Sequence, residues 1–150
     1  TVVCGTDNLS HILEREIETD TIRQLLSLGG GTASLNETLL RDRRALPSHP
    51  ETGCEVPQTG AYIRAQLEEM GLEVKACGRC GLTALIGKKE DGPVLLMRAD
   101  IDALPMQEES GLPFASQTPG KAHCCGHDNH AAMLLGALRV LHGQAQPREY

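Results

Sequence analysis

His123-Cys124-Cys125-Gly126-His127-Asp128-Asn129-His130 gathers three imidazoles, two thiols and a carboxylate into eight consecutive positions. Neither a packed core nor an ordinary surface loop needs such a density of metal-binding side chains. Cys125 and His127 stand two apart, so an extended or turning backbone brings their side chains to one side, whereas a helix would make them diverge. The pair reads as a loop chelate. Ala131, Leu134, Leu135, Leu138 and Leu141 follow as an apolar stripe at helical spacing, with Gly143 as a C-terminal stop. The loop therefore leads into a helix N-terminus, whose free N–H groups and partial positive charge favour thiolates and other anions.

Upstream, the chain alternates between helical and strand periods. Asn36 can cap a helix through Leu39, Leu40 and Arg43 that Pro47 interrupts and Pro50 finishes. Pro57 suits the first turn of a second helix, which runs through Ile63, Leu67 and Met70 to Gly71. Leu72, Val74 and Ala76 then alternate with Glu73 and Lys75 as a half-exposed strand. A second strand spans about 82–86. Asp91-Gly92 turns into a third, Pro93-Val94-Leu95-Leu96-Met97, whose unbroken apolar run suits a central strand covered on both faces. The helix after it is expected at about 129–142. This order predicts an α/β fold with a mixed sheet flanked by helices, whose ligands collect beyond strand C-termini.

At the end of the third strand stands Arg98-Ala99-Asp100-Ile101-Asp102-Ala103-Leu104-Pro105. Asp100 and Asp102 face one way in an extended chain, and two like charges so placed need a cation nearby. A metal ion or Arg98 can be that cation. By itself the segment reads more readily as an Arg98–aspartate pair decorating a loop, and its position just ahead of the cysteine-histidine loop favours the functional reading.

Composition excludes several function classes. The 150 residues carry a net charge of -6 and three aromatic rings, with no basic patch for nucleic acid. No apolar run spans a bilayer and the first residues lack a secretory pattern. A cytoplasmic address with no membrane partner is the expectation. The six cysteines include the adjacent Cys124 and Cys125, which argues for reduced thiols over three bridges. Leu13, Ile17, Leu25 and Leu28 share a helical face that Gly29-Gly30-Gly31 ends. The expected domains are an N-terminal helical extension over residues 1–36 and a partial catalytic domain over 37–150.

Taken in order, the segment 43–55 with Thr59, the stretch 98–105 with 106–114, and Cys125-Gly126-His127-Asp128-Asn129-His130 resemble the metal-dependent amidohydrolases of the aminoacylase and zinc-carboxypeptidase type (peptidase clan MH). The branch most similar contains hippurate hydrolases, N-acyl-amino-acid amidohydrolases and plant indole-acetyl-amino-acid hydrolases. The resemblance covers roughly residues 40–141. It implies a zinc-exopeptidase-like catalytic domain, with a separate lid or dimerisation domain that this chain lacks and without which no homodimer is expected. It also implies two divalent metal ions (zinc, manganese or cobalt) and a small N-acyl amino acid or peptide-like substrate.

Carried over residue by residue, Cys125 and His127 match metal ligands. Asp100 takes the place of a histidine ligand of other branches, and Asp102 matches the aspartate that supports the metal site, so both are expected as supporting catalytic groups. Asp128 and His130 are candidates for the substrate pocket, with helix capping and loop support as their structural alternatives. The family's general base, in a Glu-Glu pair on a strand after the helix at 129–142, has no match here. The chain therefore resembles an N-terminal fragment, inactive by itself. Departures from the pattern are Pro47 for a histidine, Cys54 for an aromatic, Cys124 for a small residue, and Cys77-Gly78-Arg79-Cys80 in a glycine-rich turn. Two alternatives stay open: a non-catalytic metal-binding or interaction module on the same fold, and a Cys-rich structural-zinc or redox protein built on Cys77, Cys80, Cys124 and Cys125.

Overall fold

A computed structural model of the chain describes residues 2–4, 32–87 and 94–144. Its elements run β1 (Val2–Cys4), α1 (Thr32–Ser48), α2 (Pro57–Glu69), β2 (Val74–Cys77), β3 (Gly81–Ala84), β4 (Met97–Ala99) and α3 (His127–Gln144). The strands form one mixed sheet in the order β2-β3-β1-β4, antiparallel except for the parallel pair β1 and β4. The α/β fold with helices packed on a mixed sheet is the expected one.

Several boundaries differ. β1 lies inside the sheet, and α1 crosses the expected 36/37 domain boundary, beginning at Thr32 rather than at Asn36. The proposed helix through Leu13 to Leu28, its glycine triplet and the Asp91-Gly92 turn lie outside the described residues. Pro47 is inside α1 rather than a break. It sits in the last turn, where the missing N–H costs one hydrogen bond only. The described part of the apolar run, residues 94–97, is not a covered central strand: β4 starts at Met97, at one end of the described sheet, and Val94 and Leu95 are 49% and 61% exposed. Apolarity alone does not distinguish a strand from its approach.

The core forms where one face of each helix meets the sheet. Ile63 and Leu67 of α2, Leu82 and Ala84 of β3, and Ala131, Leu134, Leu135 and Leu138 of α3 are buried together. The α3 residues are the stripe read from the sequence, except that Leu141 is half-buried. An apolar cavity lined by Ile63, Leu82, Ala131 and Leu138 lies in this core and holds none of the candidate site residues. Gly136 admits α1 closely, since a Cβ there would collide with the Leu39 side chain.

α2 is capped from a distance. Its N-cap Val56 has no capping side chain and Pro57 has no N–H, but the Glu51 carboxylate accepts the backbone N–H groups of Gln58 (3.1 Å) and Thr59 (2.8 Å). Glu51 is 8% exposed, so this carboxylate at a helix N-terminus replaces water for two orphan donors. Glu51 is therefore a buried cap. Glu51→Ala is expected to cost about 1–2 kcal/mol, measured by urea unfolding, with Glu51→Gln losing less. An unchanged unfolding midpoint in both would refute the capping role.

Candidate metal centre

Two backbone bridges bring the centre together. Ala103 pairs in parallel with Thr52, its N–H donating to the Glu51 carbonyl at 2.6 Å. Leu104 pairs antiparallel with Ala122, with N–H···O bonds of 2.9 and 3.0 Å in the two directions. The second bridge closes the loop 105–121 and lays the cysteine-histidine segment beside Asp100-Ile101-Asp102. Ile101 is 1% exposed and points inward, so Asp100 and Asp102 face outward together, just beyond the end of β4.

His127 opens α3, and Gly126 before it takes φ +91°, a conformation that L side chains rarely adopt. Its Nδ1 lies 3.0 Å from both the backbone carbonyl and the carboxylate Oδ1 of Asp102. Both neighbours can only accept, so Nδ1 carries the proton and donates it. In the neutral ring that leaves the lone pair on Nε2, which lies 4.0 Å from Asp100 Oδ2, too far for a hydrogen bond. This is the orientation in which a carboxylate-held imidazole binds a metal.

The two aspartates divide the alternatives between them. Asp100 pairs with the Arg98 guanidinium, through Arg98 Nη1 at 3.3 Å and a second, shorter contact from Nη2. Asp102 holds His127. Asp128, expected as a pocket group or cap, is 1% exposed and turned inward, its Oδ2 2.6 Å from Arg43 Nη1 in a charge contact without hydrogen-bond alignment. Its negative charge in the first turn also suits the helix dipole. His130 is exposed, its ring centroid 5.9 Å from that of His127. Cys124 and Cys125 are both exposed.

The residues do not close into a finished metal cage. Among the described residues, no group of three or more His, Cys, Asp or Glu side chains stands ready to hold a metal. Of the cysteines, Cys80 meets Cys54. The donor chemistry nevertheless suits a divalent ion: an exposed thiol, an oriented imidazole nitrogen and an adjacent carboxylate are the ligand types of zinc and its neighbours.

Sequence reasoning missed the supporting groups. Arg43, on α1, anchors the N-terminus of α3 through Asp128, 85 positions on, and shares the face of Phe114 with Arg44, their guanidinium carbons 5.8 and 5.7 Å from the ring centroid. The resemblance of the segment 43–55 was the available signal. Both ring nitrogens of His123 are buried without a hydrogen-bond partner among the described residues. Burial lowers its pKa, helped by His127 and Arg43 and opposed by Asp128 and Asp102. Glu108 is committed to its loop: hydrogen bonds from the Ser110 hydroxyl and the Ser116 N–H (2.7 Å) hold its pKa down.

An α/β fold thus brings a carboxylate and an imidazole together just beyond the end of β4. Residues 96–149 match the model of Peptidase family M20/M25/M40. The chain is 42% identical over 110 residues to the N-acetyl-L-cysteine deacetylase of Bacillus subtilis (strain 168), spanning 73% of this chain and 26% of that protein. To a second protein of that organism, an N-acetylcysteine deacetylase, it is 45% identical over 105 residues, or 69% of this chain and 28% of the relative. The crystal structure of the Bacillus subtilis YXEP protein, described as a dinuclear metal binding peptidase from the M20 family, matches with a TM-score of 0.71 at 40% identity, covering 76% of this chain and 33% of that one.

The chain is thus similar to peptidase family M20/M25/M40 over residues 96–149 and in the relatives it matches. It spans about a quarter of the length of the curated relatives it matches. None of the helices among the described residues is long and apolar enough to cross a membrane.

Proposed function

We propose that this chain supplies part of the catalytic domain of a metal-dependent amidohydrolase that cleaves the amide of N-acyl amino acids or related small amides. The observation that carries the proposal is the double anchoring of His127 Nδ1 by Asp102, which presents Nε2 as a metal donor. Its relatives named for N-acetylcysteine support the substrate class. His127 Nε2 and the Cys125 thiol are the proposed ligands. Asp102 fixes the imidazole, Asp100 supplies negative charge at the rim, and Arg98 holds that carboxylate in place. Two divalent metal ions, when bound, supply Lewis acidity to the amide carbonyl and a hydroxide source near neutral pH.

Two side-chain donors fall short of the three protein ligands that a catalytic zinc uses. Glu108 is occupied by its loop, and Glu68 lies on α2 beside Arg64. The general base is therefore assigned to neither, and the activity is proposed for a protein of the relatives' length. The want of a three-donor cluster among the described residues favours one second reading, a metal-binding or interaction module without catalysis. A chimera separates the two: residues 32–144 replace the matching segment of the Bacillus subtilis deacetylase. Metal-dependent release of acetate from N-acetyl-L-cysteine is expected. A folded, metal-loaded chimera without hydrolysis would leave only the second reading.

A further inference from the structure

Cys54 and Cys80 are 26 positions apart in the chain, and their sulfurs lie 2.7 Å from each other. Cys54 sits in the turn before α2, closed by the Glu55 N–H donating to the Thr52 carbonyl at 3.3 Å. Cys80 ends the three-residue turn that joins β2 to β3, with Gly78 at φ +61°. Both are half-buried, and Cys80 packs against the core, so the two sulfurs are held by elements that the fold itself positions. Turn residues also tolerate the small backbone shifts that closing a bond requires better than a strand interior does.

The geometry points to Cys54 and Cys80 as a redox-modification site, a dithiol that closes into a disulfide by exchange with small disulfides of the glutathione type. One thiolate attacks the small disulfide, forming a mixed disulfide and releasing one small thiolate. The second cysteine thiolate then attacks the protein sulfur of that mixed disulfide and releases the other. Two protein thiols and one small disulfide give one protein disulfide and two small thiols, so electrons and protons balance. Cys77 ends β2 three positions before Cys80, but the contact runs from Cys80 to Cys54.

Closure acts on the neighbouring centre through the backbone. Cys54 is two residues from Thr52, which bridges Ala103, and Ala103 follows the Asp102 that holds His127. A disulfide thus ties the segment 51–55 to the β2–β3 hairpin and restrains the segment after β4 that carries Asp102. This inference is independent of the amidohydrolase proposal, because it invokes no metal and no substrate.

The test is thiol mapping of the 150-residue chain equilibrated across ratios of reduced to oxidised glutathione, alkylated and digested with trypsin. Arg79 separates Cys77 from Cys80 on cleavage, so the pairs are distinguishable. The expected product joins the peptide Ala45 to Arg64 with the peptide Cys80 to Lys88, and it persists in Cys77→Ser. Cys54→Ser is expected to carry glutathione on Cys80 instead. Full alkylation of Cys54 and Cys80 at every ratio, or a Cys77–Cys80 product in place of the expected one, would overturn the site. Hydrogen exchange of the Ala103 amide is expected to slow about tenfold on closure, and an unchanged rate would overturn the coupling to the segment that carries Asp102.

Discussion

His127→Ala is expected to lower zinc or manganese affinity more than about hundredfold, beyond the 10–100-fold typical of an outer partner of a metal ligand. Isothermal titration of the chain, and elemental analysis of the chimera, read this directly. The expectation follows from geometry: His127 Nδ1 is taken up by Asp102, so Nε2 is the atom that a metal would lose. Cys125→Ala is expected to act alike in bound metal and, in the chimera, to remove amide hydrolysis. Asp102→Asn belongs one step back, with a loss of about 10–100-fold, because the amide can present its N–H as well as its oxygen to the imidazole and loosen the tautomer. Undiminished metal binding by both His127→Ala and Cys125→Ala would refute the ligand assignment.

Asp42→Ala is expected to destabilise the fold by about 3–5 kcal/mol, the range for removing one partner of a buried ion pair. Asp42 is fully buried where α1, α2 and α3 meet. Its carboxylate accepts the Tyr62 hydroxyl of α2 at 2.7 Å and the Arg139 Nη1 of α3 at 2.5 Å, while Arg41 Nε lies 3.5 Å away. Gln66 completes the junction by accepting from Arg139 (2.8 Å) and Arg41 (2.7 Å). Removing the carboxylate leaves the Arg139 guanidinium, only 13% exposed, without its countercharge. Against a total stability of about 5–15 kcal/mol, such a loss brings the chain close to unfolding at room temperature. Urea unfolding followed by far-ultraviolet circular dichroism measures it, and a loss below about 1 kcal/mol would place Asp42 among ordinary hydrogen-bonding groups.

Tyr62 gives the same junction a pH signature. Burial, then the hydrogen bond to Asp42, push its hydroxyl up to about 12 from an ordinary 10.0. A group whose pKa is raised on folding adds stability that is complete below its unfolded pKa and lost as pH rises through its folded one. The contribution is therefore whole below pH 10 and disappears toward pH 12. Tyr62→Phe removes that alkaline component of unfolding while leaving the neutral-pH ion pair of Asp42 and Arg139.

Where local periodicity carries information, structure and expectation agree. Asp100 and Asp102 share a face because Ile101 between them is drawn inward. Ala131, Leu134, Leu135 and Leu138 bury one stripe of α3. Pro57 and Gly71 bracket α2 as their backbone preferences require. Where a segment is apolar without a period, as at 94–97, expectation and structure part, because burial there depends on the neighbouring strands.

The amino-acid sequence by itself determined the donor chemistry and the local geometry around it: thiol and imidazole two apart at a helix start, carboxylates alternating at a strand end, and the family that both motifs resemble. Tertiary structure decided the partners. Asp102 meets His127 across 25 positions, Arg43 meets Asp128 across 85, and Cys54 meets Cys80 across 26. Such pairings follow from how the loops close on the folded sheet, through bridges such as Leu104 with Ala122, and no spacing along the chain encodes them. The same dependence made Asp128 a buried counterion, since only packing of α1 against α3 brings Arg43 to it.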